Sequence, residues 1–150
     1  MKTIFISYAH TDRDLAESLL RELKPNLACS ATKPAQIWID TQIAAGHPWD
    51  AAIRQQLQTC DLGLLLVSPA YRCSKYIDAV EQKALLTKAV AVGLKRVDFS
   101  TQLSPDLASL QIYRHIRPKA GDTFFSQCSS RQQREAFVHG LFQEIHSRLT

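Results

Sequence analysis

The chain has 150 residues, 45% of them hydrophobic, which suits one domain over residues 1–150 with a sizeable core. Its formal net charge of +4 comes without a dense Lys/Arg run, so the composition argues against a nucleic-acid-binding surface. The longest strongly apolar run, residues 62–67, is far too short to cross a bilayer, and the opening residues pass straight into a strand pattern rather than a signal peptide. The four cysteines (Cys29, Cys60, Cys73, Cys128) form no CxxC pair and the five histidines no HExxH or i,i+4 arrangement. Reduced thiols, a cytoplasmic setting and no metal are therefore expected.

Residues 3–8, Thr-Ile-Phe-Ile-Ser-Tyr, have the β-branched and aromatic content of a short buried strand. Thr11, Asp12 and Asp14 read as a helix start, with a hydroxyl cap and acids in the first turn. Leu15, Leu19 and Leu23 follow as one apolar stripe, and Pro25 is expected to end that helix. Residues 36–39 form the second expected strand, and residues 40–47 lack any period and read as a loop. Pro48 then suits the first position of a helix whose inner face is Trp49, Ile53 and Leu57.

The run 62–67, Leu-Gly-Leu-Leu-Leu-Val, is apolar without alternation, as in a strand buried on both faces, and Ser68-Pro69 stops it. A helix is expected over 77–88, a fourth strand over 90–94 and a fifth over 111–116, with irregular chain between the last two. Phe137, Leu141, Ile145 and Leu149 mark an amphipathic closing helix. Strands alternating with helices imply an α/β fold with a parallel sheet covered on both faces. At this length the flavodoxin-like three-layer sandwich is expected, a five-stranded parallel sheet in the order 2-1-3-4-5. Such sheets bind ligands beyond the strand carboxyl ends, where the loops after Tyr8, Asp40 and Ser68 fall.

One carboxylate stands out. On a helix over 77–88, Ile77, Val80, Ala84 and Lys88 share one side, and Glu81 falls within that stripe. A carboxylate on an apolar face loses hydration and calls for a partner or a use. Two readings stay open at this point: a salt-bridged or snorkelling structural residue, and a functional one.

The motifs then meet a known family. Phe5-Ile6-Ser7-Tyr8 resembles the first box of Toll/interleukin-receptor (TIR) domains. Trp38-Ile39-Asp40, with Gly46 and Trp49 after it, is similar to the second box and its BB loop. Residues 65–71, then Ser74-Lys75-Tyr76 and Glu81, resemble the segment that carries the family's catalytic glutamate. Order and spacing are kept over nearly the whole chain. Four features depart from the commoner pattern: Tyr76 stands for Trp, Ile77 for Cys, Ala45 for the Pro before Gly46, and Glu81 lies five residues beyond the aromatic, where four is also common.

The resemblance implies a TIR fold of bacterial type and cleavage of NAD at the nicotinamide–ribose bond, with NAD as substrate rather than cofactor. Glu81 would be the catalytic carboxylate, and Tyr8, His10, Asp40, Gly46, Ser68 and Tyr76 the substrate-binding set. Each has a plainer reading as well: strand-end packing for Tyr8, a loop residue for His10, a turn cap for Asp40, backbone geometry for Gly46, a helix cap for Ser68. The family also implies self-association with other TIR domains, a separate sensor or effector, and a role in antiphage immunity. The competing class is a non-enzymatic TIR adaptor that signals by homotypic contact. A ligand sensor without turnover ranks below both, because fold alone proves no function.

Overall fold

Two strands, one with an apolar centre and one apolar throughout, set the middle of the sheet. In the computed structural model, which describes residues 1–39, 49–73, 88–97, 112–113, 115–117 and 121–149, these are β1 (Lys2–Ser7) and β3 (Leu62–Val67). They run parallel, with Ile4 opposite Leu62 and Ser7 opposite Leu65. All of β3 is buried, which is what a parallel strand covered on both faces requires. β2 (Ala35–Trp38) pairs with the other edge of β1, and β4 (Ala89–Gly93) with the other edge of β3. The order β2-β1-β3-β4 matches the first four places of the doubly wound arrangement.

Beyond β4, Ile112–Tyr113 is registered parallel against Ala91 and Val92. Two residues are too few to establish the fifth strand expected over 111–116. The next segment, His115–Arg117, pairs antiparallel with Gly121–Thr123 in a separate ribbon. The sequence at this point turns from Ile-Tyr to Arg-His, residue types that a doubly buried strand does not hold without partners.

Side chains alternate across the sheet, and each face receives its own helices. Ile4, Ile6 and Tyr8 join the layer of α1 (Arg13–Ala28) and the closing helix α4 (Arg131–Arg148). Phe5 and Ala9 join the layer of α2 (Trp49–Thr59) and α3 (Pro69–Cys73), with Ile53, Leu57 and Tyr71. The α4 contacts are the expected ones: Phe137, Leu141 and Ile145 are fully buried. Its start is fixed by a reciprocal cap, in which the Ser130 hydroxyl accepts from the Gln133 amide at 3.1 Å and the Gln133 side chain accepts from the Ser130 amide at 3.4 Å.

Two expectations for α1 are corrected. Its buried stripe is Ala16, Leu19, Leu20, Leu23 and Leu27, so the helix runs through Pro25 to Ala28 instead of stopping there. Pro25 is exposed, so the carbonyl that loses its partner faces water, while Leu27 one half-turn on is buried and holds the chain in helix. Nor is there a hydroxyl cap from Thr11: residues His10–Asp12 form a single 3₁₀ turn with no side-chain cap, and the Asp12 side chain is engaged elsewhere. The loop expected over 40–47 and the helix over 77–88 up to residue 87 lie outside the described residues. Among the described residues no helix is long and apolar enough to cross a membrane.

Because the exposed Pro25 leaves one helical hydrogen bond unmade, Pro25→Ala is expected to raise stability by about 1–2 kcal/mol, the interior penalty of proline less its benefit in the unfolded chain. Urea denaturation reads this directly. A loss of stability would mean that the proline ring packs usefully where it stands.

Candidate functional site

A crevice forms in a parallel sheet where neighbouring strands send their connections to opposite faces. Here β1 leads to α1 in one layer and β3 leads to α3 in the other, so the crevice lies between the carboxyl ends of β1 and β3. Five polar or charged side chains meet there. Ser7, at the end of β1, and Tyr71, in α3, are both buried, and their hydroxyls are 3.0 Å apart. The Ser68 hydroxyl, fully buried at the exit of β3, donates to Oδ2 of Asp12 and accepts the Tyr71 amide at 3.0 Å. Ser68 is therefore the N-cap of α3, with Pro69 at the first helical position where no amide is needed.

Asp12 has a side chain only 1% exposed, and its second oxygen lies 2.9 Å from Nζ of Lys95, which is 45% exposed. Lys95 is brought there by the exit of β4, where the amides of Leu94 and Lys95 both donate to the Val67 carbonyl, at 3.0 and 3.2 Å. A carboxylate buried to this degree calls for full hydrogen bonding and a counter-charge, and it has both. Its backbone is pinned as well, the Asp12 amide donating to the Ala9 carbonyl at 2.8 Å.

The sequence candidates fall unevenly around this crevice. Tyr8 is 4% exposed, inside the α1–α4 layer, and its ring stacks on that of His10 at 5.6 Å and 10°. His10 is exposed, so it is the imidazole that faces solvent, supported from beneath by Tyr8. Ser68 joins the same rim through Asp12. Glu81, Asp40, Gly46 and Tyr76 lie outside the described residues. Asp12, Lys95, Ser7 and Tyr71 were not singled out as site residues in the sequence. Ser7 carried a faint signal, a hydroxyl directly after the apolar run Ile4-Phe5-Ile6. Lys95 carried none, because its partner is distant along the chain.

One described cavity lies elsewhere. It has a volume of about 390 Å³ and is lined by Glu22, Asn26, Arg131, Glu135, Val138 and His139, between α1 and α4. Glu22 lies about 14 Å along α1 from the rim end, at 1.5 Å per residue, so this cavity is remote from the crevice. Its charges are largely paired already, Arg131 with Glu135 at 3.0 Å and Arg134 with Glu22 at 3.9 Å. Among the described residues no group of three or more His, Cys, Asp or Glu is arranged to hold a metal.

The family model of the TIR domain matches residues 4–127. The chain belongs to the TIR domain family. A relative from Sinorhizobium fredii, the uncharacterized protein y4lF, is 30% identical over 88 residues, which is 59% of this chain. That match spans 26% of the relative's own length. The family match starts in β1 of this TIR domain and ends in the turn after Thr123, so it takes in every segment of the rim.

Two outcomes are expected here. Tyr71→Phe removes the phenol from Ser7 and leaves a buried hydroxyl without that partner, at a cost of about 1–2 kcal/mol in denaturant unfolding; no change would show that the pair contributes nothing net. Cys60 is buried and desolvation pushes its thiol above the ordinary value, while Cys29 is exposed. Alkylation of the native protein near pH 8, resolved by mass spectrometry, is expected to label Cys29 about tenfold faster or more, with Cys60 catching up only as pH rises.

Proposed function

We propose that this TIR domain cleaves NAD at the nicotinamide–ribose bond, with Glu81 as the catalytic carboxylate. The observation that carries the proposal is the family match over residues 4–127, which includes both the loop after β1 and the segment holding Glu81. The chemistry asks little of the protein. The C1′–N bond breaks with its electron pair going to the nicotinamide nitrogen, which leaves neutral and needs no general acid. The ribose becomes oxocarbenium-like, as in glycoside hydrolysis, and one carboxylate beside C1′ stabilises that charge. Water then adds at C1′ and gives up a proton, yielding ADP-ribose. Attack by the adenine instead yields a cyclic form.

In this reading His10, backed by Tyr8, lines the pocket from the first loop, and Tyr76 packs against nicotinamide or ribose. Asp40 and Gly46 shape the BB loop, and Ser68 serves the pocket from its floor. Self-association with further TIR domains completes or activates the site in bacterial immunity. No metal or bound cofactor enters the scheme.

Concentrated protein incubated with NAD is expected to release nicotinamide, and Glu81→Gln to slow that release by about 100-fold or more. Turnover equal to wild type in the variant would remove Glu81 from its role. No turnover at any concentration, even with the domains held together by a fused oligomer, would favour an adaptor that works by contact alone.

A further inference from the structure

Asp12 and Ser68 stand on opposite sides of the crevice, one on the connection to α1 and the other at the head of α3. Ser7 and Tyr71 span the same gap. Lys95 adds a third connection, the exit of β4, to the same carboxylate. We infer that Asp12 is a positioning residue, which through Ser68 and Lys95 makes the loop after β1, the head of α3 and the exit of β4 move as one body.

A carboxylate has two oxygens, and each oxygen of Asp12 goes to a different connection. Every partner sits on a segment that bounds the crevice, and neither bond can be replaced by water where the acid is 1% exposed. The Ser68 hydroxyl is used in both directions, so a shift of Asp12 is passed to the Tyr71 amide. The floor of the crevice is thus closed by side chains, and a ligand must rest on top of it. In sequence, α3 is followed by the segment that holds Glu81. On the NAD reading, Asp12 therefore fixes the rim on which the dinucleotide rests without touching substrate.

The test is amide hydrogen exchange on the full chain, wild type against Lys95→Met, Ser68→Ala and Asp12→Asn. Lys95 is half-exposed, so its variant is the one best suited to keep the fold. Lys95→Met is expected to speed exchange about tenfold or more at both the Asp12 and Tyr71 amides, and to leave Leu141 in α4 within about twofold. Acceleration confined to residues 94–96, or an even rise that includes α4, would overturn the inference. Nicotinamide release adds a second readout: Asp12→Asn is expected to lower kcat about tenfold or more with KM within about threefold, since a small misplacement of reacting groups costs rate before binding. An unchanged kcat alongside coupled exchange would reject the link to catalysis. A wild-type chain that does not cleave NAD would count against the NAD reading, while the exchange result still decides the coupling.

Discussion

An acid buried at the mouth of an apolar sheet must find its compensation within the protein. Asp12 finds it in one hydroxyl and one ammonium drawn from two other connections. That requirement shapes the rim. The exit of β4 has to bring Lys95 within ion-pair distance, and the exit of β3 has to present Ser68 rather than an apolar residue. The chain after β1 has to turn through a 3₁₀ step before α1 so that the acid points inward. Burial of the apolar sheet beneath is non-directional and does not fix the relative placement of its loops.

The layers divide the labour. The α1–α4 layer carries much of the core, with Leu19, Leu23, Phe137, Leu141 and Ile145 fully buried. The α2–α3 layer is where hydroxyls enter, through Tyr71 against Ser7. The stacked Tyr8–His10 pair belongs to the first layer, so an exposed ring at the rim rests on a rigid support.

Much of the architecture could be read in the residues. β3 was visible because six consecutive buried positions leave no room for alternation, and α4 because Phe137, Leu141 and Ile145 recur at helical spacing. Pro25 misled, since its residue type says nothing about which side of the helix it will face; only the packing of Leu27 shows that the lost hydrogen bond lies toward water. At the site, motif spacing named Ser68 and His10, which the structure places at the exits of β3 and β1. Asp12 was read as a first-turn acid because local sequence assigns it to the nearest helix, whereas its partners come from the ends of β3 and β4. Long-range pairing of this kind leaves no local mark.

The central claim is that a dinucleotide rests on the rim formed by the exits of β1, β3 and β4. The most direct measurement is a titration of ¹⁵N-labelled protein with NAD, followed by backbone amide chemical shifts. The account predicts saturable shifts at His10, Ser68, Tyr71 and Lys95, with Asn26 and His139 in the α1–α4 cavity unmoved. Shifts centred on that cavity, or none at the rim at millimolar NAD, would contradict it.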